Sequence, residues 1–226
     1  MLRTENLGFW YQNPEDALYQ EVSLTFETGK IYAILGASGS GKTTFLSLIS
    51  GLDNPREGTV YYEDRPLAKI GLRNYRKNSV SIIFQAYNLL PYLSAVDNVV
   101  AAMEISQTKQ KNRRQIALEH LARVGIDEQM AQKKVTLLSG GQQQRVAIVR
   151  AICCDHQLIV ADEPTGNLDE TTSQEIVELF QEIAHEQDRC IILVTHELEV
   201  AKKCDEVYEL KNKEFTRKML ALTNDD

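Results

Sequence analysis

The sequence is poor in the features that mark several protein classes. It has no apolar run of the roughly 20 residues that a bilayer-crossing helix needs. Its first residues, Met1-Leu2-Arg3-Thr4-Glu5-Asn6, lack the apolar stretch of a secretory leader. The expectation is a cytoplasmic chain with no membrane-spanning segment of its own. Only four cysteines occur, Cys153, Cys154, Cys190 and Cys204, and their spacing is not that of a zinc site. Adjacent thiols rarely form a structural bridge, so buried free thiols in a reducing compartment are expected. Basic residues do not dominate: 25 Lys and Arg stand against 32 Asp and Glu, for a net charge of −7. Dedicated nucleic-acid binders carry a basic surface, so no nucleic-acid partner is expected. The one short basic run, Lys109, Lys111, Arg113 and Arg114, reads as a solvated helix face. Internal repeats and low-complexity linkers are also missing.

What is present is a chain of 226 residues, 43% apolar and 25% charged, long enough to bury a large core. The stretch up to about Glu27 has the pattern of strands, with turns at Asn13-Pro14 and Thr28-Gly29. Short apolar runs at Ile31–Leu35, Thr59–Tyr62, Ser81–Phe84, Leu158–Ala161 and Cys190–Val194 predict further strands. Helices are expected at Lys42–Ser50, closed by Gly51, and at Thr172–Glu186, with another after Val194. From Ala86 to Ile152 the pattern turns mostly helical. Ile116, Ala117, Leu118, Leu121 and Ala122 share one face there, and a second helix starts at Ser139. Strands without polar alternation, set between helices, imply an α/β domain with a mostly parallel sheet covered on both faces and a helical insertion in its middle.

Gly36-Ala37-Ser38-Gly39-Ser40-Gly41-Lys42-Thr43 fits the phosphate-loop pattern G-x-x-x-x-G-K-[ST], with a strand before it and a helix after it. Glycines let several backbone N–H groups point at one anion, and the helix start adds partial positive charge. Lys42 would reach the outer phosphates of a nucleotide, Thr43 would ligate Mg²⁺, and Thr44 belongs to the same turn. Asp162 and Glu163 follow an apolar strand directly, where parallel sheets place their ligands. Asp162 is assigned to the Mg²⁺ shell. Glu163 is expected on the opposite side of the pleat, facing a water. A general base there contributes roughly 10²–10⁴-fold, or about 3–5 kcal/mol.

Leu138-Ser139-Gly140-Gly141-Gln142 opens a second helix in a form suited to an anion. Ser139 sits at the N-cap, Gln142 completes a capping-box pattern, and Gly140 and Gly141 leave N–H groups uncovered. A nucleotide needs one phosphate loop. The second anion site is therefore assigned to the γ-phosphate held by another copy of the chain, with ATP between two copies meeting head to tail.

With these motifs in this order, the sequence from about Leu2 to Lys213 closely resembles the nucleotide-binding domain of ABC transporters. The resemblance implies a P-loop ATPase of ABC type with a mostly parallel core, an N-terminal antiparallel β subdomain and an inserted α-helical subdomain. It implies a single domain over residues 1–226: a core of about 1–85 and 155–213, a helical insertion of about 86–154, and a short tail of about 214–226. It implies ATP and Mg²⁺ as cofactors, with Glu163, His196 and Lys42 catalytic. Gly36 to Thr43 is similar to the Walker A loop and Leu138 to Gln142 to the signature sequence. Asp162 and Glu163 resemble the Walker B aspartate and the catalytic glutamate. Gln85 is similar to the glutamine-loop residue that senses Mg²⁺ and couples to the membrane partner, Asp169 to a D-loop residue touching the opposite subunit, and His196 to the switch histidine at the γ-phosphate. Tyr11 is the candidate for stacking on adenine, with Trp10 as second choice.

The wording Ala161 to Asp169, Gly51-Leu52-Asp53 and Phe84 to Pro91 resembles the branch of macrolide and antimicrobial-peptide exporters, lipoprotein-releasing ATPases and the cell-division ATPase. This implies a separately encoded integral membrane permease, a second copy in an ATP-dependent dimer, attachment to the inner face of the membrane through the permease, and export or extraction of peptide, lipoprotein or drug-like substrates. An importer ATPase and a non-transport member of the class are the alternatives. Two departures fall in loops: Asp155-His156 lacks the family's proline, and Asn212-Lys213 replaces its glycine-containing turn.

Overall fold

The computed structural model describes residues 1–219. Eleven strands run among them: β1 (Leu2–Phe9), β2 (Tyr19–Val22), β3 (Thr25–Phe26), β4 (Ile31–Leu35), β5 (Glu57–Tyr62), β6 (Arg65–Pro66), β7 (Val80–Ile83), β8 (Leu158–Asp162), β9 (Cys190–Thr195), β10 (Glu206–Lys211) and β11 (Glu214–Lys218). The helices are α1 (Lys42–Ile49), α2 (Leu67–Ile70), α3 (Leu72–Asn78), α4 (Ala95–Ile105), α5 (Arg113–Arg123), α6 (Glu128–Ala131), α7 (Gly140–Cys153), α8 (Glu170–Glu186) and α9 (Leu198–Lys202). No described helix is long and apolar enough to cross a membrane.

The central sheet has the order β11-β10-β4-β9-β8-β7. It is parallel from β10 to β7, and β11 pairs antiparallel with β10. Its inner strands β4, β9 and β8 bury both faces, as their continuous apolar runs require. Ile31, Ile159, Ala161, Ile191 and Leu193 pack toward the helices α4, α5, α7 and α8. Their alternate neighbours Tyr32, Ile34, Leu158, Val160, Ile192 and Val194 pack toward α1 and a second, antiparallel sheet ordered β2-β1-β5-β6, with β3 also on β1. The period of two along each strand produces this division. The fold is thus an α/β architecture with an N-terminal antiparallel sheet and helices α4 to α7 inserted between β7 and β8, the arrangement that the resemblance implies.

Most expected elements appear within a residue or two of their sequence boundaries. Two regions differ. Leu67–Asn78, unassigned from the sequence, forms α2 and α3, separated by Gly71 at φ +83°. The expected tail from about 214 begins as a strand, because the chain reverses at Asn212 and Lys213, whose φ values are +51° and +69°. Two consecutive left-handed residues are the signature of a tight hairpin turn. The rest of that tail, 220–226, lies outside the described residues. Asp155, at φ +60°, makes the other departing loop in the same left-handed way.

Lysine tolerates left-handed backbone poorly and glycine freely. Lys213→Gly is therefore expected to stabilise the chain by about 0.5–1 kcal/mol, a rise in Tm of about 1–4 °C. Thermal unfolding followed by circular dichroism checks this, and an unchanged or lower Tm contradicts it.

Candidate nucleotide site

Four neighbouring strands of the central sheet deliver the site. β4 ends at Leu35 and runs into Gly36. β7 ends at Ile83, two residues before Gln85. β8 ends at Asp162 beside Glu163, and β9 ends at Thr195 beside His196. The parallel register sets Leu35 against Thr195 and Asp162 against Val194, so these carboxyl ends form one edge. Ligands of open parallel sheets bind there.

The loop from Gly36 to Gly41 wraps onto the start of α1. Gly41 is its N-cap at φ +104°, a conformation other residues rarely adopt. A Cβ on Gly36 would come within 2.7 Å of the Leu210 carbonyl and 2.9 Å of Ser40 Oγ, so only glycine fits. Above Gly39 nothing lies within 4 Å of where a Cβ would stand, which leaves its backbone open to a ligand. Lys42 Nζ donates to the carbonyls of Gly36 and Ala37 at 2.7 and 2.8 Å. Burial pulls the Lys42 ammonium below its ordinary value, while the Glu163 and Asp162 charges oppose that shift.

Thr43 Oγ donates to Asp162 Oδ1 at 3.3 Å. Asp162 is buried, on the face of β8 turned toward α1, and burial raises its carboxyl above the ordinary range, with the Thr43 hydrogen bond opposing. Glu163 departs from the pleat expected for it. Its φ is +46°, and its N–H donates to the Val194 carbonyl at 2.8 Å. A left-handed turn, not strand alternation, aims its side chain. Gln85 Nε2 donates to Glu163 Oε2 at 3.0 Å, and His196 Nδ1 donates to Oε1 at 2.9 Å, since a carboxylate oxygen accepts.

A cavity of about 280 Å³ opens beside the phosphate loop, lined by Tyr11, Leu18, Ser38, Gly39, Gly41, Lys42, Thr43, Thr44, Gln85 and Glu163, while Gly36, Ala37, Ser40, Asp162 and His196 stand outside its lining. Tyr11 stands at its rim, 65% exposed, with its hydroxyl 2.9 Å from Thr44 Oγ and its ring edge-on to Phe9. Trp10, the second candidate, is not part of the lining. A larger hollow of about 460 Å³ between α8 and α9 has no phosphate loop in its walls. Leu18 was not picked out from the sequence; an apolar residue before a strand carries no distinguishing signal.

The residues present suit a nucleotide phosphate with Mg²⁺. Ser40 Oγ is buried without a partner among the described residues, beside backbone amides in a loop with room for an anion. The Thr43 hydroxyl, the Asp162 carboxylate and the Gln85 amide oxygen form the hard, all-oxygen set that Mg²⁺ prefers. Among the described residues no group of three or more His, Cys, Asp or Glu could hold a metal by itself.

The second helix start lies elsewhere. Ser139 caps α7 with the full capping box: Gln142 N–H donates to Ser139 Oγ at 3.3 Å, and Ser139 N–H to Gln142 Oε1 at 2.9 Å. Ser139 and Gly140 are exposed. Neither they nor Gly141 and Gln142 line the phosphate-loop cavity. Asp169 does not line it either. It caps α8, accepting from Thr172 N–H at 3.0 Å and Thr172 Oγ at 2.8 Å, which holds its carboxyl below the usual range.

Because the Asp162 pKa is higher in the fold than in the unfolded chain, its charge costs stability above the raised value, and that cost vanishes below the unfolded value. Without nucleotide and Mg²⁺, Asp162→Asn is therefore expected to melt above the wild type at neutral pH. The gap should narrow as pH falls through the raised value. Melting curves across pH check this; a lower-melting variant at pH 7 overturns it.

Comparison with known proteins bears on the same residues. The family model described as "ABC transporter" matches residues 19–166. An uncharacterized ABC transporter ATP-binding protein of Bacillus subtilis, YclH, is 55% identical over 218 residues, covering 96% of each chain. The lipoprotein-releasing system ATP-binding protein LolD of Idiomarina loihiensis is 36% identical, covering 94% of this chain and 95% of its own. The ATP-binding cassette MJ0796, solved as a dimer in a post-hydrolysis state with ADP and Pi, superposes with a TM-score of 0.89 at 34% identity, covering 97% of this chain and 99% of that one. With its phosphate loop, acidic strand end and signature helix in place, this chain belongs to the ABC transporter family as an ATP-binding, Mg²⁺-dependent ATPase subunit.

Proposed function

We propose that the chain is the motor of an exporter or extractor of peptide, lipoprotein or drug-like substrates. In this assignment it works as an ATP-dependent dimer on a separate membrane permease, through which it attaches to the inner face of the membrane. The observation that carries the dimer is the separation of the two anion-type helix starts. The phosphate loop sits in one cavity, while the exposed start of α7 at Ser139 lies outside it. A second copy would bring its α7 start to the γ-phosphate held here. The dimeric MJ0796 cassette supports the arrangement. The likeness to the lipoprotein-releasing protein of Idiomarina supports export or extraction.

The residues divide the chemistry among them. Lys42 would exchange its two loop carbonyls for phosphate oxygens. Thr43 and Asp162, with Gln85, would hold Mg²⁺, which supplies Lewis-acid charge at the phosphates. Glu163, aimed by its left-handed turn, would take the proton of the attacking water. His196 and Gln85 hold one oxygen of that carboxylate each, which fixes its orientation. Tyr11, exposed at the rim, offers its ring to the adenine.

Glu163→Gln keeps the side-chain shape and removes the base. It is expected to bind ATP with wild-type affinity, to lose about 10²–10⁴-fold in kcat, and to elute as a dimer with ATP on size-exclusion chromatography. Wild-type turnover in this variant removes Glu163 from its role, and a monomer at saturating ATP removes the sandwich. Tyr11→Ala is expected to weaken ATP binding about tenfold by loss of stacking, as read by titration calorimetry. Unchanged affinity would show that the adenine sits elsewhere.

A further inference from the structure

Helix α7 carries two polar side chains that do not line the nucleotide cavity, and both reach the turns bearing Gln85 and Glu163. Gln144 is buried, and its Nε2 donates at 3.0 Å to the carbonyl of Pro164, the residue after Glu163. Its Oε1 has no partner among the described residues. Arg150, about 9 Å further along the helix axis, donates from Nη1 to the Asn88 carbonyl at 2.6 Å and from Nη2 to the Tyr87 carbonyl at 3.0 Å.

Tyr87 and Asn88 follow Gln85 closely and stand at φ +59° and +49°. A left-handed pair without glycine persists only where its surroundings hold it. The planar fork of arginine suits two adjacent carbonyls in a way that lysine cannot match. Burial pulls the Arg150 guanidinium below its ordinary value, and among the described residues no carboxylate pairs with it. The Tyr87 hydroxyl completes the bracket. A Cβ on Gly140, at the start of α7, would meet it at 3.1 Å. The segment after Gln85 thus touches both ends of α7, and the residue after Glu163 is held between them.

We propose that Gln144 and Arg150 are positioning residues that set the Gln85–Glu163 contact and so tie water activation to the placement of the signature helix. The proposal rests on the motor assignment above, in which the start of α7 meets the γ-phosphate bound by the other copy. A displacement of α7 as a rigid rod moves Pro164 together with Tyr87 and Asn88. These carry Glu163 and Gln85 with them. Hydrolysis in one subunit then depends on whether its signature helix is seated on the nucleotide of its partner. Neither residue touches ATP in this scheme, so each should affect kcat and spare KM.

The test uses the full 226-residue chain. Steady-state ATP turnover is measured for Arg150→Met and Gln144→Met, each alone and each combined with Gln85→Ala, with thermal melting to verify folding. In the otherwise wild-type chain each is expected to lower kcat about tenfold while KM for ATP changes less than about twofold. In the Gln85→Ala background the contact is already gone, so neither should lower kcat by more than about twofold. Losses that multiply across the two backgrounds overturn the proposal, as does a KM that rises in step with the fall in kcat. If Arg150→Met does not fold, Gln144→Met decides, because it removes an unpaired buried oxygen along with the donor and should keep the fold. A wild-type chain that releases no phosphate from ATP would instead sink the motor assignment, and the positioning role with it.

Discussion

Glu163 leaves β8 in a left-handed turn, and both of its carboxylate oxygens are held by side chains from the neighbouring strands: His196 beyond β9 and Gln85 beyond β7. This three-strand convergence is the constraint on which the site depends. A parallel register places the carboxyl ends of adjacent strands side by side, so residues far apart in sequence meet without any local loop bringing them together. β4, the next strand in the sheet, delivers the phosphate loop to the same edge. The phosphate loop and the carboxylates of Asp162 and Glu163 are therefore positioned by a core whose strands are buried on both faces. Shifts in that core are resisted by close packing.

The helical insertion contributes in a different way. Its helix α7 exposes a capped, glycine-rich start while its body is buried against α4, α5 and β7. The exposed end is suited to an external anion, and the buried body reaches the turns of the catalytic edge. One element thus faces both outward and inward, an arrangement that lets contact at a surface alter geometry inside a subunit without any change of fold.

Much of this was legible in the sequence, because the informative signals are local. The phosphate loop lies between a five-residue apolar run and an eight-residue helix, and the capping box from Ser139 to Gln142 spans only four residues. What was not legible depends on long-range pairing or on backbone conformation. The left-handed turn at Glu163 is imposed by the Val194 carbonyl on the next strand. The β10–β11 hairpin was hidden because Asn212-Lys213 has no glycine to mark its turn. Asp169 also caps its own helix through Thr172, and whether an acid after a loop caps a helix shows only once the helix start is placed. Arg150 looks like any cation on an amphipathic helix until its two carbonyl partners, more than sixty positions back, are seen beside it.

The strand that the sequence concealed also bears on the behaviour of the chain at high concentration. An open sheet offers unpaired backbone groups at its two outer strands, and such borders recruit other strands into aggregates. Here one border is β11, lined with Glu214, Arg217 and Lys218 at exposed or half-buried positions. The other is β7, only four residues long, with α3 and α7 packed against it. Charge blunts one side and brevity the other, so the sheet is protected from edge-to-edge fibre growth.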